Sequence, residues 1–567
     1  AISCLTVSAQ QRVTLHIVET TDVHGAFMPF DFFNNSEQPG SMARVSTFVN
    51  QLRHQHGEDA VVLLDNGDIL QGQPICYYYN YVKTDVPNIA AEVINYLKYD
   101  AETFGNHDVE PGHAVYDKWV SEVKCPMLGA NIIDTRTGQP YVAPYTIVER
   151  LGVRVAVIGM LTPAIPNWLN ETLWSGLRFD EMVKCARYWV DYLRKNEHPD
   201  LIVGLFHSGW EGGISTSDYD EDAARKMAEE VEGFDLVFYG HDHTEHMETL
   251  PNGVLCLDPS CNAKKVAHAT ITLRKNGTKW DVERKQGELV DVCPLKIDPD
   301  FVQHFQPVID DTRNYVNRLV GVLESPLYSR DCFFGPSAFT DLIHNLQLKL
   351  TGADISFAAP LSFNTVIQAG NIYVRDMFKL YRFENRLYTL RMTGEEIRKH
   401  LEMSYDLWTN TMTSPDDHIM LLNDATANDL QRYGFKNMTF NLDSATGIDY
   451  EVDVTKPDGE KVRILRMSDG RPFDPNAWYV VAMNSYRGNG GGELLVRGAG
   501  IPWDSIPQRI EYMSDRDQRV GGQIKTMKGV EELVSYQQMM AADNKVVFFN
   551  LWEAMGGNGG ISKMAQQ

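Results

Sequence analysis

Between Val13 and about Val290, short β-branched runs alternate with longer helical patterns, and no other feature narrows the possible folds as much. The runs are VTLHIVET (13–20), AVVLLDNG (60–67), YDAETFGN (99–106), RVAVIGML (154–161), DLIVGLFHS (200–208) and FDLVFYG (234–240), ending in or running into polar residues and glycine. Such strands, separated by helix-length segments, predict an α/β class in which sheets and helices pack in layers and chemistry sits at strand ends. From Asp298 to Leu323, Phe301, Phe305, Val308, Ile309, Thr312, Tyr315, Leu319 and Val322 recur at three- and four-residue spacing. This predicts one long amphipathic connecting helix, a pattern that the first helix of a second domain would share. After about Glu324 the chain turns to Gly, aromatics and mixed α/β patterns, with no internal repeat and no low-complexity linker.

Five strand-end segments supply metal-type ligands: Asp22-Val23-His24, Gly67-Asp68, Gly105-Asn106-His107-Asp108, His207-Ser208-Gly209 and Gly240-His241-Asp242-His243. Each alone is an ordinary turn or a loop histidine bonded to backbone. Together they converge on one sheet edge, where α/β proteins place their sites. Carboxylate, imidazole and amide oxygen without thiolate suit a pair of divalent transition ions, with an aspartate able to bridge them. Two ions about 3.5–4 Å apart clamp a phosphoryl group and acidify a shared water. The residue set therefore points to phosphate-ester hydrolysis by water rather than by a side-chain nucleophile, and no GxSxG or GxxxxGK[ST] motif competes.

In this order the five segments resemble the calcineurin-like metallophosphoesterase fold, and the second half is similar to the C-terminal domain of the 5′-nucleotidase family. The resemblance implies a four-layer α/β/β/α metallophosphoesterase domain over 12–297, a linker helix over 298–323 and a mixed α/β substrate-binding domain over 324–567. It implies one metal on Asp22, His24, Asp68 and His243 and a second on Asp68, Asn106, His207 and His241. His107 would then stabilise charge on the transition-state phosphoryl oxygens, with Glu110 in position to orient it. Manganese, zinc, iron and cobalt all suit such ligands.

The second half bears on substrate. Relatives that act as 5′-nucleotidases carry a substrate-binding Arg at the end of a Gly-rich stretch corresponding to Ala359–Ile372, and this chain has none there. Leu380–Asn385, Met392–Gly394, Tyr450–Pro457 and Asn484–Arg487 before Gly490-Gly491-Gly492 are similar to the 2′,3′-cyclic-nucleotide 2′-phosphodiesterase/3′-nucleotidase branch. That branch sandwiches the nucleobase between two aromatic rings. Tyr486 matches one, Phe440 is the nearest aromatic to the other because Leu442 stands where the branch has Tyr, and Arg487 is a candidate for phosphate or ribose. A 5′-nucleotidase or UDP-sugar hydrolase is the alternative, and a non-catalytic nucleotide-binding protein a further one.

Charge constrains partners. With 52 Lys+Arg against 76 Asp+Glu the formal net charge is −24. Polynucleotides and anionic membranes, which are bound chiefly through Lys and Arg, are therefore poor partners. A small anionic ester remains compatible, because two divalent cations supply positive charge where a phosphate sits. No run approaches 18 apolar residues, so no transmembrane segment is expected. Residues 1–11 read as a signal-peptide remnant, with Val7-Ser8-Ala9 as a cleavage site, and predict export to a bacterial periplasm; Cys4 also allows lipid anchoring. Eight scattered cysteines form no CxxC, and Cys256 with Cys261 are close enough either to bridge or to remain free thiols. A monomer is expected.

Overall fold

The computed structural model describes residues 11–383, 385–423, 434–513, 517–520 and 523–526. The Val7-Ser8-Ala9 and Cys4 features lie outside the described residues. Contacts divide the chain into two compact units: the chain up to Pro166 with Glu171–Tyr315, and Asn167–Asn170 with the described residues from Val316 onward.

The first unit holds two six-stranded sheets. One runs in the order Lys279–Asp291, Lys265–Asn276, Arg12–Thr20, Val61–Asp65, Ala101–Thr103, Met127–Leu128. The other runs Glu245–Thr249, Leu255–Pro259, Leu236–Tyr239, Leu201–His207, Val153–Leu161, Tyr145–Arg150. All six strands anticipated from the β-branched runs are present. Their inner faces meet in one apolar core that includes Leu15, Ile17, Val62, Leu64, Val155, Val157, Val203, Leu205, Leu236 and Phe238. The second sheet's outer face packs Ile158, Ile202 and Tyr239 against Val183, Ala186 and Val190 of helix Met182–Tyr192. Helices Met42–His56, Ile89–Leu97 and His113–Glu122 belong to the first sheet's segments, completing the α/β/β/α layering.

Parallel pairing aligns the strand ends. Thr20 is in register with Asp65, Asp65 with Glu102, and Leu161 with His207, while Phe206 is level with Tyr239. The loops that carry the predicted ligands therefore leave one edge of each sheet.

The helix expected over 298–323 ends at Val316. Its buried stripe, Phe301, Phe305, Ile309, Thr312 and Tyr315, packs on the first unit, with Phe301 and Phe305 against Tyr96 and Tyr315 stacked on Tyr78 at 4.6 Å. Leu319–Leu323 is instead a strand, paired antiparallel with Gly370–Tyr373. The run LVGVL satisfies helical spacing by coincidence, but its valines and glycine favour an extended backbone.

In the second unit a five-stranded sheet runs Ser444–Thr446, Ile355–Ala358, Trp478–Asn484, Leu387–Thr393, Ile510–Met513. Helix Gly394–Trp408 buries Ile397 and Leu401 in its core and is capped by Thr393 and Glu396 in a reciprocal capping box.

Candidate metal centre

Every predicted ligand lies at or just past the C-terminal end of a strand. The loops are forced into unusual backbone: Asp22, His24, Asp68, His241 and His243 have φ of 47° to 82°. Left-handed conformations cost residues other than glycine about 1–3 kcal/mol each, so five at one place mark a backbone held there by its surroundings. Two glycines admit the close approach, since a Cβ on Gly105 would fall 2.1 Å from Asp68 Oδ1 and one on Gly240 2.5 Å from Asp22 Oδ2. Asp108 braces two loops: its carboxylate accepts the N–H groups of Gly105, Asp68, Ile69 and Leu70 at 2.7, 2.7, 2.9 and 2.8 Å.

Ligand atoms of Asp22, His24, Asp68 and His243 all lie within 4.8 Å of one another. His24 Nε2 is 3.0 Å from His243 Nε2, and His243 Nε2 is 3.0 Å from Asp22 Oδ1. A second group abuts it: His207 Nε2 is 3.3 Å from Asp68 Oδ2 and 3.2 Å from Asn106 Oδ1, and His241 Nδ1 is 2.8 Å from Asn106 Oδ1. Asp68 Oδ1 is engaged by the His107 N–H at 2.7 Å. Its Oδ2 faces both groups, 3.9 Å from His24 Nε2 and 3.3 Å from His207 Nε2.

Proton bookkeeping tests whether cations fit. His24 Nδ1 lies 3.1 Å from the Gln71 carbonyl and His207 Nδ1 lies 2.7 Å from the Asn66 carbonyl. A carbonyl only accepts, so each Nδ1 carries the hydrogen and each neutral ring presents its Nε2 lone pair inward. A neutral His207 ring would thus point its Nε2 lone pair at carboxylate and amide oxygens, a clash that a proton or a cation between them relieves. Asp22 Oδ1 is buried and accepts no well-aligned hydrogen bond. Lone pairs converging on a buried point with orphaned oxygens are what divalent cations satisfy. Protons compete with cations for these imidazole lone pairs, so cation affinity weakens as pH is lowered.

Beside this set, His107 Nδ1 is 2.7 Å from Glu110 Oε2, and the His107 ring packs edge-on to His24 at 5.4 Å. Burial works against charge, yet the carboxylates of Asp68 and Glu110 hold the imidazole up at about 9. The seven ligand candidates, His107 and Glu110 are thus brought together. Asp65 stands apart: it accepts from Thr20 Oγ1 at 2.6 Å, and burial pushes its carboxyl up to about 8.

Three further residues surround the ligands, none readable from the sequence as a ligand partner, and Cys261 enters there only as a possible bridge to Cys256. Gln71 accepts from His24 through its carbonyl and donates its amide to Glu110 Oε2 at 2.9 Å, joining the ligands to the His107–Glu110 pair. Glu221 Oε1 lies 3.1 Å from His241 Nε2. Cys261 hydrogen-bonds His243, which overcomes burial to draw the thiol below its usual pKa. Cys256 and Cys261 are thiols and do not form a disulfide. None of these three sits in a motif, and no local signal marks them.

In the second unit Arg487 requires a correction. It is 2 % exposed, its Nε and Nη2 grip Asp443 at 2.7 and 3.2 Å, and its remaining donors reach the carbonyls of Phe440 and Gly491. It therefore braces the aromatic pair from beneath and has no donors turned to a substrate. Phe440 and Tyr486 lie close but edge-to-face, 6.0 Å between centroids at 88°. This is not the parallel gap of two van der Waals separations, each about 3.5 Å, that a base sandwich takes. A Cβ on Gly491 would fall 2.5 Å from the Tyr486 ring, so the glycine loop gives room to the chain's own tyrosine. Leu442 is buried in a satellite core with Phe333 and Trp408.

Comparison with known proteins agrees with this geometry. The calcineurin-like phosphoesterase model matches residues 15–245, and the 5′-nucleotidase C-terminal domain model matches 317–497. The trifunctional nucleotide phosphoesterase protein YfkN of Bacillus subtilis is 26% identical over 546 residues, covering 86% of this chain; the chain spans 36% of that longer protein. A 2′,3′-cyclic-nucleotide 2′-phosphodiesterase/3′-nucleotidase of Haemophilus influenzae is 26% identical over 549 residues, 84% of this chain and 80% of its own. Among solved structures, a 5′-nucleotidase precursor from Thermus thermophilus has a TM-score of 0.62 at 20% identity, covering 93% of this chain and 96% of that one, which shows a shared fold. Fold and site together define a metallophosphoesterase, a class that works with divalent metal and hydrolyses phosphoric esters. The chain belongs to the 5′-nucleotidase family, with a phosphoesterase domain followed by that family's C-terminal domain. Among the described residues no helix is long and apolar enough to cross a membrane.

Proposed function

We propose that this chain is a dinuclear-metal phosphoesterase that hydrolyses 2′,3′-cyclic nucleotides and 3′-nucleotides to nucleoside and phosphate. The observation that carries it is Asp68 Oδ2 facing two adjacent ligand groups, with the His24 and His207 lone pairs turned inward by backbone carbonyls. One ion would rest on Asp22, His24, Asp68 and His243, the other on Asp68, Asn106, His207 and His241. When bound, two divalent cations supply Lewis acidity to the phosphoryl oxygens and lower the pKa of water.

The protein's own groups do the rest. His107 commits its Nδ1–H to Glu110, so its Nε2 end meets a phosphoryl oxygen as charge develops there. Glu110, fixed by the Gln71 amide, keeps that ring oriented. Tyr486 and Phe440 offer aromatic surface for a base after a ring rotation, a recognition mode that tolerates any base. The lack of an arginine at the end of Ala359–Ile372 and the names of the relatives that span the chain favour the cyclic and 3′-nucleotide branch over 5′-nucleotides or UDP-sugars. The chain is further proposed to act as an exported monomer on small esters rather than on polynucleotides, an assignment that N-terminal sequencing of mature protein and sedimentation check.

The deciding experiment is hydrolysis of 2′,3′-cyclic AMP, 3′-AMP, 5′-AMP, UDP-glucose and bis(p-nitrophenyl) phosphate with Mn²⁺ or Zn²⁺. Preference for 2′,3′-cyclic AMP and 3′-AMP is expected. Preference for 5′-AMP or UDP-glucose overturns the branch assignment, and no hydrolysis of any ester overturns the enzyme reading.

A further inference from the structure

The four histidines of the metal centre are not held alike. His24 and His207 are turned by backbone carbonyls and His243 touches a thiol, whereas His241 alone has a carboxylate at its outer nitrogen. That carboxylate is Glu221, and its placement is elaborate. The hairpin Gly212–Ser215 with Asp220–Asp222 folds back over the end of strand Leu201–His207. The Ser208 hydroxyl donates to the Glu221 carbonyl at 2.7 Å and accepts from Ala223 N–H at 2.8 Å, and Thr162 Oγ1 donates to the same carbonyl at 2.9 Å. Asp222 Oδ1 accepts the Gly209 N–H at 2.9 Å, where a Cβ on residue 209 would come within 2.6 Å of it. The Glu221 side chain is fixed as well, its Oε2 accepting the Ile214 N–H at 2.6 Å. In His207-Ser208-Gly209 the serine and glycine thus serve the hairpin that delivers Glu221.

We propose that Glu221 is a positioning residue for the second metal. It takes the Nε2–H of His241 and thereby turns the His241 Nδ1 lone pair toward Asn106 Oδ1, 2.8 Å away, where the His207 lone pair also points. An anionic acceptor behind a ligating imidazole fixes its tautomer and raises its basicity. The inference rests on the dinuclear reading above and adds an asymmetry to it, because the second ion is backed by a carboxylate behind His241, whereas a thiol lies against His243 of the first. The opposite tautomer is the rival arrangement. Glu221, Asp222 and His241 have ligand atoms within 4.8 Å of one another, so an ion could instead sit among them on Nε2, with Nδ1–H donated to Asn106. The His207 geometry favours the first arrangement, since its lone pair meets Asn106 Oδ1 and Asp68 Oδ2 and gains nothing from an ion on the far side of His241.

The test is Mn²⁺ titration of the full chain after chelator stripping, by equilibrium dialysis, for wild type, Glu221→Ala, Glu221→Gln, Asn106→Ala and Asp222→Asn. Wild type is expected to bind two ions. Glu221→Ala should weaken one of them about 10- to 100-fold and leave the other unchanged. Glu221→Gln, which keeps an acceptor but not the charge, should restore most of that loss; Asn106→Ala should weaken the same ion, and Asp222→Asn, which keeps the oxygen that accepts from Gly209 but loses a charge 3.9 Å from His241 Nε2, should weaken it less than Glu221→Ala does. Matching thermal unfolding midpoints of the stripped proteins exclude misfolding, and Glu221→Gln carries the test if Glu221→Ala does not fold. Wild type binding fewer than two ions defeats the dinuclear reading itself. Two ions in Glu221→Ala with unchanged affinities overturn only the role of Glu221. Equal losses in Glu221→Ala, Glu221→Gln and Asp222→Asn, with Asn106→Ala unaffected, show Glu221 as a direct ligand and overturn it in favour of the rival.

Discussion

Two buried polar clusters, one in each unit, are built on opposite principles. In the first unit lone pairs from His24 and His207 converge on carboxylate and amide oxygens, and Asp22 Oδ1 is left without an aligned partner. In the second unit Arg487, Asp443 and His400 answer one another: Arg487 grips both oxygens of Asp443, and His400 Nε2 lies 2.8 Å from Asp443 Oδ2. A cation would complete the first cluster. The second holds its own counter-charge, Arg487 against Asp443, and its atom without an aligned partner is a ring nitrogen, His400 Nδ1, rather than a carboxylate oxygen. Burial alone therefore does not separate a reactive site from a scaffold, whereas the balance of donors and acceptors does.

The largest effect that sharpens this contrast is expected from Asp68→Ala or from chelation. Asp68 faces both ligand groups, so on the dinuclear proposal its loss would remove a ligand from both ions, and phosphoesterase activity should fall ~10³-fold or more, about 4 kcal/mol of transition-state stabilisation. Mn²⁺ should restore the chelated wild type but not the variant; activity near wild type in Asp68→Ala with Mn²⁺ present would break the first half of the comparison. Arg487→Ala comes next and should behave in the opposite way. It strands the buried Asp443 carboxylate, which costs about 3–5 kcal/mol of stability in urea unfolding, while the metal content stays that of wild type. If Arg487→Ala instead stays stable and loses only phosphate affinity, Arg487 is a substrate ligand after all.

How far the amino-acid sequence reveals these clusters follows from how local their signals are. Asp22 through His243 could be picked out because each ligand sits in a two- to four-residue segment directly after a strand, and strand runs are legible from β-branched patterning. Glu221 could not, because it reaches His241 only through a hairpin anchored by Ser208 and Thr162, contacts that span 13 and 59 positions. Arg487 was misassigned for a related reason: its partner Asp443 is 44 positions away, so an arginine beside a glycine loop looks like a ligand contact. The helix from Pro299 was overextended because Leu319 and Val322 continue its spacing, while the pairing that makes them a strand lies fifty residues downstream at Gly370–Tyr373. Contacts between positions distant in the chain leave no local signal in the sequence.

Acid sharpens the comparison further. Burial alone would raise the Asp443 carboxyl, but Arg487 and His400 hold it down at about 2, against an ordinary value of 3.8. A depressed carboxylate contributes stability that is fully present above the unfolded value and is lost as pH falls through the folded one. Between pH 4 and 2 the second unit should therefore lose about 2 kcal/mol from this group in urea unfolding. Asp443→Asn, starting from a lower stability, should show that much less acid dependence in the same window. An unchanged acid slope in Asp443→Asn would mean that the pair is not charged in the folded chain.

The smallest effect tests the aromatic pair. Tyr486 and Phe440 meet edge-to-face, so a base reaches a stacking position only if one ring turns, and that rotation subtracts from what stacking contributes. Tyr486→Ala should raise KM for 3′-AMP roughly ten-fold, about 1–2 kcal/mol, with kcat for bis(p-nitrophenyl) phosphate and the metal content unchanged, because neither depends on a base. Tyr486→Phe should keep wild-type KM, since the π-face rather than the hydroxyl does the stacking. If Tyr486→Ala lowered turnover of both substrates equally, the ring would be supporting the fold around Gly491 rather than reading the base, and the second unit would contribute packing but no specificity at this position.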